Sequence, residues 1–264
     1  MLIICCGMMR SGSTLQYQLT LAILEKTNKG TGLGEIRDGD CQQLLQTQSD
    51  DQMQVLKVHQ FRHLKGVETA ITQGQAKGIY TYRDIRDVTA SLMKMRKATF
   101  EKLMFHTREI EECIRDFYHW TNLDHLLISR YEIMVNDLTQ EALRIADHLN
   151  INLSQQEAQV IADEYSIERQ KSRISSWKNN QVNDSKFYDP KSLLHANHID
   201  SGKLNKWVNT LTPLQVAYLE TTAKDWLISQ NYPLSQPLFM DWLSQVVYAK
   251  YGIAKKINRI KAIK

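Results

Sequence analysis

One stretch near the start constrains what this chain can fold into more than any other. Residues Gly7-Met8-Met9-Arg10-Ser11-Gly12-Ser13-Thr14 follow an apolar run, Leu2-Ile3-Ile4-Cys5-Cys6, and precede the helical pattern of residues 15–26. The apolar run reads as a short buried strand. A strand, a glycine-bearing turn and a helix start together form a cradle, with backbone N–H groups and the positive helix end facing an anion. The spacing is that of a phosphate loop, G-x-x-x-x-G-K-(S/T), with one change: Ser13 holds the lysine position, and the cation sits three residues earlier at Arg10. The loop keeps its anion-binding geometry without the lysine that grips a triphosphate. The plainer reading of the same residues is a helix capped by Ser13 or Thr14.

The rest of the chain supplies a setting for such a loop. Buried strands are expected at 2–6, 54–59, 78–82 and 125–129. Helical periodicity marks 15–26, 84–97, 100–123, 139–150, 154–165, 166–177 and 212–229. Strands alternating with helices predict an α/β fold, a mostly parallel central sheet flanked by helices. With 264 residues and 42% hydrophobic content, one substantial core is expected. The expected division is a main domain over 1–236 and a C-terminal helix with a basic tail over 237–264. Residues 178–206 are polar and unpatterned, which suits a binding loop or a plain surface excursion.

Composition narrows the setting further. The four cysteines, Cys5, Cys6, Cys41 and Cys113, form no C-x-x-C pair and read as buried thiols in a reducing compartment. No apolar run approaches the ~20 residues of a bilayer span. The first run lacks a basic flank, so it reads as a core strand and not a signal peptide, and a cytoplasmic location is expected. A net charge of +4 suits an anionic ligand and is too weak to indicate nucleic acid. The end of the chain carries Lys255, Lys256, Arg259, Lys261 and Lys264 with no acid among them. That tail is a candidate for weak contact with an anionic membrane surface, against the plainer reading of a solvated helix end.

A second strand-to-helix junction is Tyr80-Thr81-Tyr82-Arg83-Asp84-Ile85-Arg86-Asp87-Val88-Thr89-Ala90-Ser91. Arg83 falls where the strand ends, and Asp87 and Ser91, four apart, share a helix face. Arg83 and Ser91 could meet on one phosphate, the arginine supplying a charge-assisted fork. Alone, the segment reads as well as a surface salt-bridge cluster. Paired with the first loop, it suits a nucleotide with separate 5′ and 3′ phosphates.

In that pairing the chain resembles the sulfotransferases that use 3′-phosphoadenosine-5′-phosphosulfate (PAPS). Arg10, Ser11, Gly12, Ser13 and Thr14 resemble the family's 5′-phosphosulfate loop, and Arg83 with Asp87-Val88 and Ser91 its 3′-phosphate segment. Arg130-Tyr131-Glu132 resembles an element whose tyrosine, here Tyr131, lies against the adenine. Ser166 matches a position that touches the base. Ser201-Gly202-Lys203, followed by Trp207, resembles the segment that closes over the 3′-phosphate. The likeness runs from residue 2 to about residue 211. It implies a P-loop-like sulfotransferase fold and transfer of a sulfuryl group from PAPS to a hydroxyl or amine, giving PAP (3′,5′-ADP) with no metal required. Arg10 stands where the best-known cytosolic branch has lysine, and Leu15 where it has tryptophan. Arginine there resembles the protein-tyrosine and some bacterial branches. Asp200-Ser201-Gly202-Lys203 replaces an Arg-Lys-Gly.

The reaction needs a base for the acceptor hydroxyl. Lys57-Val58-His59 looks like the family's Lys-Thr-His, which makes His59 the expected base and Lys57 the group that steadies the leaving oxygen. A histidine titrates in the useful range. The rival is Glu35 in Gly32-Leu33-Gly34-Glu35, which resembles the Gly-Glu of the protein-tyrosine branch. The plainer readings are a strand-end histidine bonded to a loop and a turn-exposed carboxylate. A nucleotide or small-molecule kinase is the alternative function, with Asp84 or Asp87 holding magnesium. A third is a non-catalytic member that binds a membrane or polyanion. The acceptor class stays open among small molecules, carbohydrates and lipids. Phe100, Phe105, Tyr118, Trp120, Phe187 and Tyr188 are aromatics that could stack on it or belong to the core. His106, His195 and His198 lie in the same regions without metal-ligand spacing.

Overall fold

The structure, a computed structural model, describes residues 1–47, 52–179, 189–195 and 203–261. Phe187, Tyr188, His198, Ser201 and Gly202 lie outside the described residues. The chain begins with β1 (Leu2–Gly7), α1 (Ser13–Lys26), β2 (Gly30–Glu35), β3 (Gly39–Asp40), α2 (Cys41–Gln46) and β4 (Met53–Lys57). It continues through β5 (Leu64–Lys65), α3 (Val67–Thr72), β6 (Ala76–Tyr82), α4 (Ile85–Arg96), α5 (Glu109–Thr121) and β7 (Leu126–Arg130). Five helices follow: α6 (Tyr131–Asn136), α7 (Leu138–His148), α8 (Gln155–Glu164), α9 (Ile167–Asn179) and α10 (Pro213–Thr222). The last two are α11 (Lys224–Ser229) and α12 (Leu238–Lys261).

Two compact units divide the chain: Met1–Arg83 with Asp116–Gly202, and Asp84–Arg115 with Lys203–Lys264. The first holds a five-stranded sheet in the order β2-β4-β1-β6-β7. Every pairing in it is parallel. Parallel strands covered on both faces carry unbroken apolar runs, and β1 is buried along its whole length. Ile3, Cys5, Val55 and Ile79 face a core shared with Tyr17, Leu19 and Ile23 of α1 and Ala142 and Ile145 of α7. On the other face Tyr80 meets Phe117 and Trp120 edge-on or tilted. The four cysteines are buried and unbridged. A buried polar knot ties α1 to β7 and α7: Gln16 donates to Ser129 (3.2 Å) and to Glu141 (2.8 Å), and Arg144 pairs with Glu141 at 2.6 Å.

The second unit is helical. Its centre is Arg86, which donates to Asp84, to Glu220 (2.5 Å) and to the Pro233 carbonyl (2.9 Å), with its guanidinium 4.3 Å from the Trp207 ring centroid. Glu220 also accepts from the backbone of Ser235 and Gln236. Asp87 accepts from the N–H groups of Asn205 (2.9 Å) and Trp207 (3.1 Å), fixing the short turn Lys206–Asn209 on α4.

Several elements differ from the sequence expectation. Strand β2 was not anticipated: three of its six residues are glycine, which removes both apolar pattern and β propensity. Strand β4 ends at Lys57, so His59 lies beyond the ladder. The helix expected over 100–123 is interrupted by a π turn at Lys102–His106 and by Arg108 at φ 57°, where a new helix begins. The helix expected over 212–229 breaks at Ala223. Just before the break, the Thr221 and Thr222 hydroxyls bond back to the carbonyls of Ala217 and Tyr218, a bond that competes with helix continuation. Tyr131 opens α6 directly after β7. Capping boxes at Ser154–Glu157 and Thr212–Gln215 start α8 and α10.

Candidate active site

Parallel α/β sheets bind ligands beyond the carboxyl ends of their strands, at the point where strand order reverses. Here the chain builds from β1 outward to β4 on one side and to β6 on the other. The loop after β1 therefore sits at the switch point. Glu35 ends β2, Lys57 ends β4, Arg83 follows β6 and Tyr131 follows β7. These residues, far apart in sequence, leave the same edge of one sheet.

The β1–α1 loop is built by close approach. Gly12 is the N-cap of α1 at φ 88°, and no side chain caps the helix there. A Cβ on Gly12 would come within 2.9 Å of the Tyr131 ring and 2.8 Å of Met134. At Gly7 it would strike Thr81 Oγ1 at 2.2 Å. Arg10 also has positive φ, 67°. The first helical bond runs from Gln16 N–H to the Gly12 carbonyl, so the first-turn N–H groups of Ser13, Thr14 and Leu15 have no intrahelical acceptor. Ser11 is turned inward: its hydroxyl donates to the Met8 carbonyl at 2.6 Å and lies 2.9 Å from Thr81 Oγ1. It braces the loop. Its partner Thr81, two residues before Arg83 near the end of β6, carries no functional signal in the sequence.

Arg83 is drawn to this loop. Its Nη1 donates to the Arg10 carbonyl at 3.4 Å, and its guanidinium lies 4.4 Å from the Tyr131 ring centroid. Arg10, Gly12, Arg83 and Tyr131 thus form one neighbourhood. Ser166 makes local contacts: its hydroxyl donates to the Asp163 carbonyl and accepts from Arg169 N–H at the start of α9. Ser91, on α4, and the exposed Lys203 belong to the second unit.

The two candidate bases and Lys57 meet on the other side of the switch point. Register pairs Glu35 with Lys57 across β2 and β4. Glu35 Oε1 lies 3.5 Å from Lys57 Nζ and 3.2 Å from His59 Nε2, and Lys57 Nζ lies 2.9 Å from the same histidine nitrogen. Arg37 adds a second cation 3.8 Å from Glu35. The hydrogen bond from His59, with the charges of Lys57 and Arg37 behind it, holds the Glu35 carboxyl down at about 2. Burial pushes the Lys57 ammonium below its ordinary range, against the pull of Glu35. Burial also pushes the His59 imidazole down, and Glu35 again opposes it. A neutral His59 cannot accept from Lys57 and donate to Glu35 through one nitrogen at once. It holds one bond or the other according to tautomer.

Glu35 also opens onto a cleft of about 910 Å³ lined by Leu33, Arg37, Asp38, Asp40, Leu44 and His195. Burial lowers the His195 pKa as well. The other aromatics and histidines fall elsewhere. Phe100 and Trp120 are fully buried, Phe105 stacks on Tyr251 at 4.7 Å with His106 nearby, and Tyr118 is exposed. Asp84 caps α4 and pairs with Arg86, while Asp87 is taken up by two backbone N–H groups. Neither carboxylate is placed to await a magnesium ion. Among the described residues no cluster of His, Cys, Asp and Glu suits a metal. No described helix is long and apolar enough to cross a membrane.

A five-stranded parallel sheet with a lysine-free phosphate loop at its switch point defines a nucleotide-binding α/β enzyme of the P-loop-like kind. The family follows from comparison: the family model described as "Sulfotransferase domain" matches residues 2–230, and the chain belongs to that family. No curated protein sequence matches. Among solved structures, retinol dehydratase in complex with androsterone and PAP is 19% identical, covering 89% of this chain and 82% of that one with a TM-score of 0.60. A mouse sulfotransferase complexed with PAP is 18% identical, covering 88% and 87% with a TM-score of 0.59. At these identities the likeness speaks for the fold: a mostly parallel central sheet flanked by helices. The protein is a sulfotransferase by family.

Proposed function

We propose that the chain transfers a sulfuryl group from PAPS to the hydroxyl or amine of a small-molecule acceptor, releasing PAP. The observation that carries this reading is the convergence of Glu35, Lys57 and His59 at strand ends beside the β1–α1 loop. PAPS supplies an activated sulfuryl group on a phosphate leaving group. The loop fits such an anion, since the first-turn N–H groups of Ser13, Thr14 and Leu15 have no intrahelical acceptor. The first-turn N–H groups of Ser13 and Thr14 hold the 5′-phosphate. Arg10 answers charge that grows on the bridging oxygen, and Arg83 takes the 3′-phosphate with Tyr131 against the base. Ser91, Ser166, Ser201, Gly202 and Lys203 are assigned to nucleotide binding from the sequence pattern.

His59 takes the acceptor proton. Glu35, ionised throughout the working range, makes a poor base and a good partner for the imidazolium that forms. Lys57 steadies the departing oxygen. As the acceptor oxygen bonds to sulfur, the bond from sulfur to the phosphate oxygen breaks and PAP leaves with its electron pair. Androsterone and retinol are ligands of the retinol dehydratase structures. They support a small-molecule acceptor here, with carbohydrate and lipid acceptors inside the proposal and nucleic acid outside it. A cytoplasmic location is part of the same proposal.

The test is transfer of radiolabelled sulfate from PAPS to a panel of phenol, sterol, sugar and amine acceptors with a metal chelator present. Labelled product supports the reading. Transfer of labelled phosphate from ATP, abolished by the chelator, would replace it with the kinase reading.

A further inference from the structure

Helix α12 is partnered on one face only. Its inner face carries Ser244 and Tyr248, both buried. The Tyr248 ring lies 4.8 Å from Tyr218 and 5.7 Å from Phe100, and Tyr251 stacks on Phe105. The outer face reads Leu238, Phe239, Trp242, Leu243, Val246 and Val247, all exposed, with Leu238 at 79% and Trp242 at 69%. These residues recur at i, i+4 and i+8, so they form one stripe and not scattered positions. Large apolar side chains in a contiguous exposed stripe mark a surface that something covers.

The charge around the stripe identifies what covers it. From residue 237 to the end there are six lysines and arginines against one acid, Asp241, an excess greater than the whole chain's net +4. The helix runs on to Lys261, and the sequence keeps isoleucine at 253, 257 and 260, on the same helical spacing as Trp242 and Val246. An apolar stripe bearing Trp, Phe and Leu on a helix rich in lysine is the pattern of a helix lying in a membrane–water interface. A second protein copy would bring the same positive charge against itself. An anionic lipid surface would complement it.

We propose that α12 docks this protein on anionic lipid bilayers, lying in the plane of the interface with the Leu238–Val247 stripe inserted and the lysines against the headgroups. This is independent of the reaction assigned above, since it rests on no residue of the site. The test is flotation of full-length protein with vesicles of phosphatidylcholine containing phosphatidylglycerol, against phosphatidylcholine alone, with sedimentation velocity in parallel. The expected result is binding to the anionic vesicles only, weakened by salt. The double variant Trp242→Asp and Val246→Asp should lower it about tenfold or more, with folding and PAP binding kept. Replacing Lys255, Lys256, Arg259 and Lys261 by glutamine should also lower it. Absence of vesicle binding, or equal binding to neutral vesicles, would overturn the proposal. So would a wild-type dimer that Trp242→Asp dissociates without any vesicle binding, which would give the stripe to a second copy.

Discussion

Lys57 and Arg86 are both cations at 2% exposure, and their surroundings differ sharply. Arg86 has a carboxylate on each side, a carbonyl and an indole face, so Asp84 and Glu220 more than offset the cost of its burial. Lys57 has one carboxylate at 3.5 Å, shared with a histidine and a second cation, and burial still pushes its pKa down. A buried charge with every partner in place fixes structure. One whose partner is divided among competitors stands ready to respond when a proton or an anion arrives. The first arrangement organises the helical unit, and the second sits at the strand ends where the chemistry is assigned.

The contrast predicts that stability and activity separate between the two clusters. His59→Ala should cost roughly 10²–10⁴ in kcat, the usual range for losing a general base. Its stability should change by less than about 1 kcal/mol, because the ring is partly exposed. Turnover that survives His59→Ala but not Glu35→Gln would exchange the roles of the two residues. Arg86→Met should do the reverse. It strands Asp84 and Glu220 and should cost about 3–5 kcal/mol in a urea titration, while any folded fraction keeps its turnover. A loss within experimental error would mean that the Arg86 cluster is not the structural one. Arg83→Ala should weaken PAP binding by roughly 1.5–3 kcal/mol and AMP binding far less, since only PAP carries the 3′-phosphate. Equal losses for both ligands would remove that assignment.

The smallest effect is on the pH profile. A base must be deprotonated, so kcat/KM falls as pH drops through the pKa of His59. That limb should lie below the ordinary imidazole value of 6.5, because burial lowers it. Lys57 lowers it further and Glu35 raises it. Lys57→Met should therefore move the limb up, and Glu35→Gln should move it down. Shifts of the opposite sign would separate the limb from His59.

Much of this was legible in the residues. The loop from Gly7 to Thr14 declared itself because glycine, small hydroxyls and a cation at fixed spacing have few other uses between a strand and a helix. Arg83, alone readable as part of a surface salt-bridge cluster, stood out only through its pairing with that loop. The meeting of Glu35 with Lys57 and His59 was not legible, because β2 is built from Gly30, Gly32 and Gly34 and carries no apolar alternation. Without that strand, nothing in the sequence sets Glu35 beside Lys57, and the two candidate bases look like rivals instead of neighbours. Thr81 matters through Ser11, a partner distant in sequence, and Arg37 through Glu35, whose place at the site depends on β2. The break at Arg108 and the exposed face of α12 are tertiary facts. Helical spacing alone does not say which stripe of a helix is buried.

The proposed site holds a nucleotide with a 3′-phosphate. Calorimetric titration of the purified wild-type protein with PAP, ADP and ATP-Mg tests it most directly. Tight binding of PAP with little response to ADP is expected. Preference for ATP-Mg would contradict it and return the loop at Gly7–Thr14 to triphosphate chemistry.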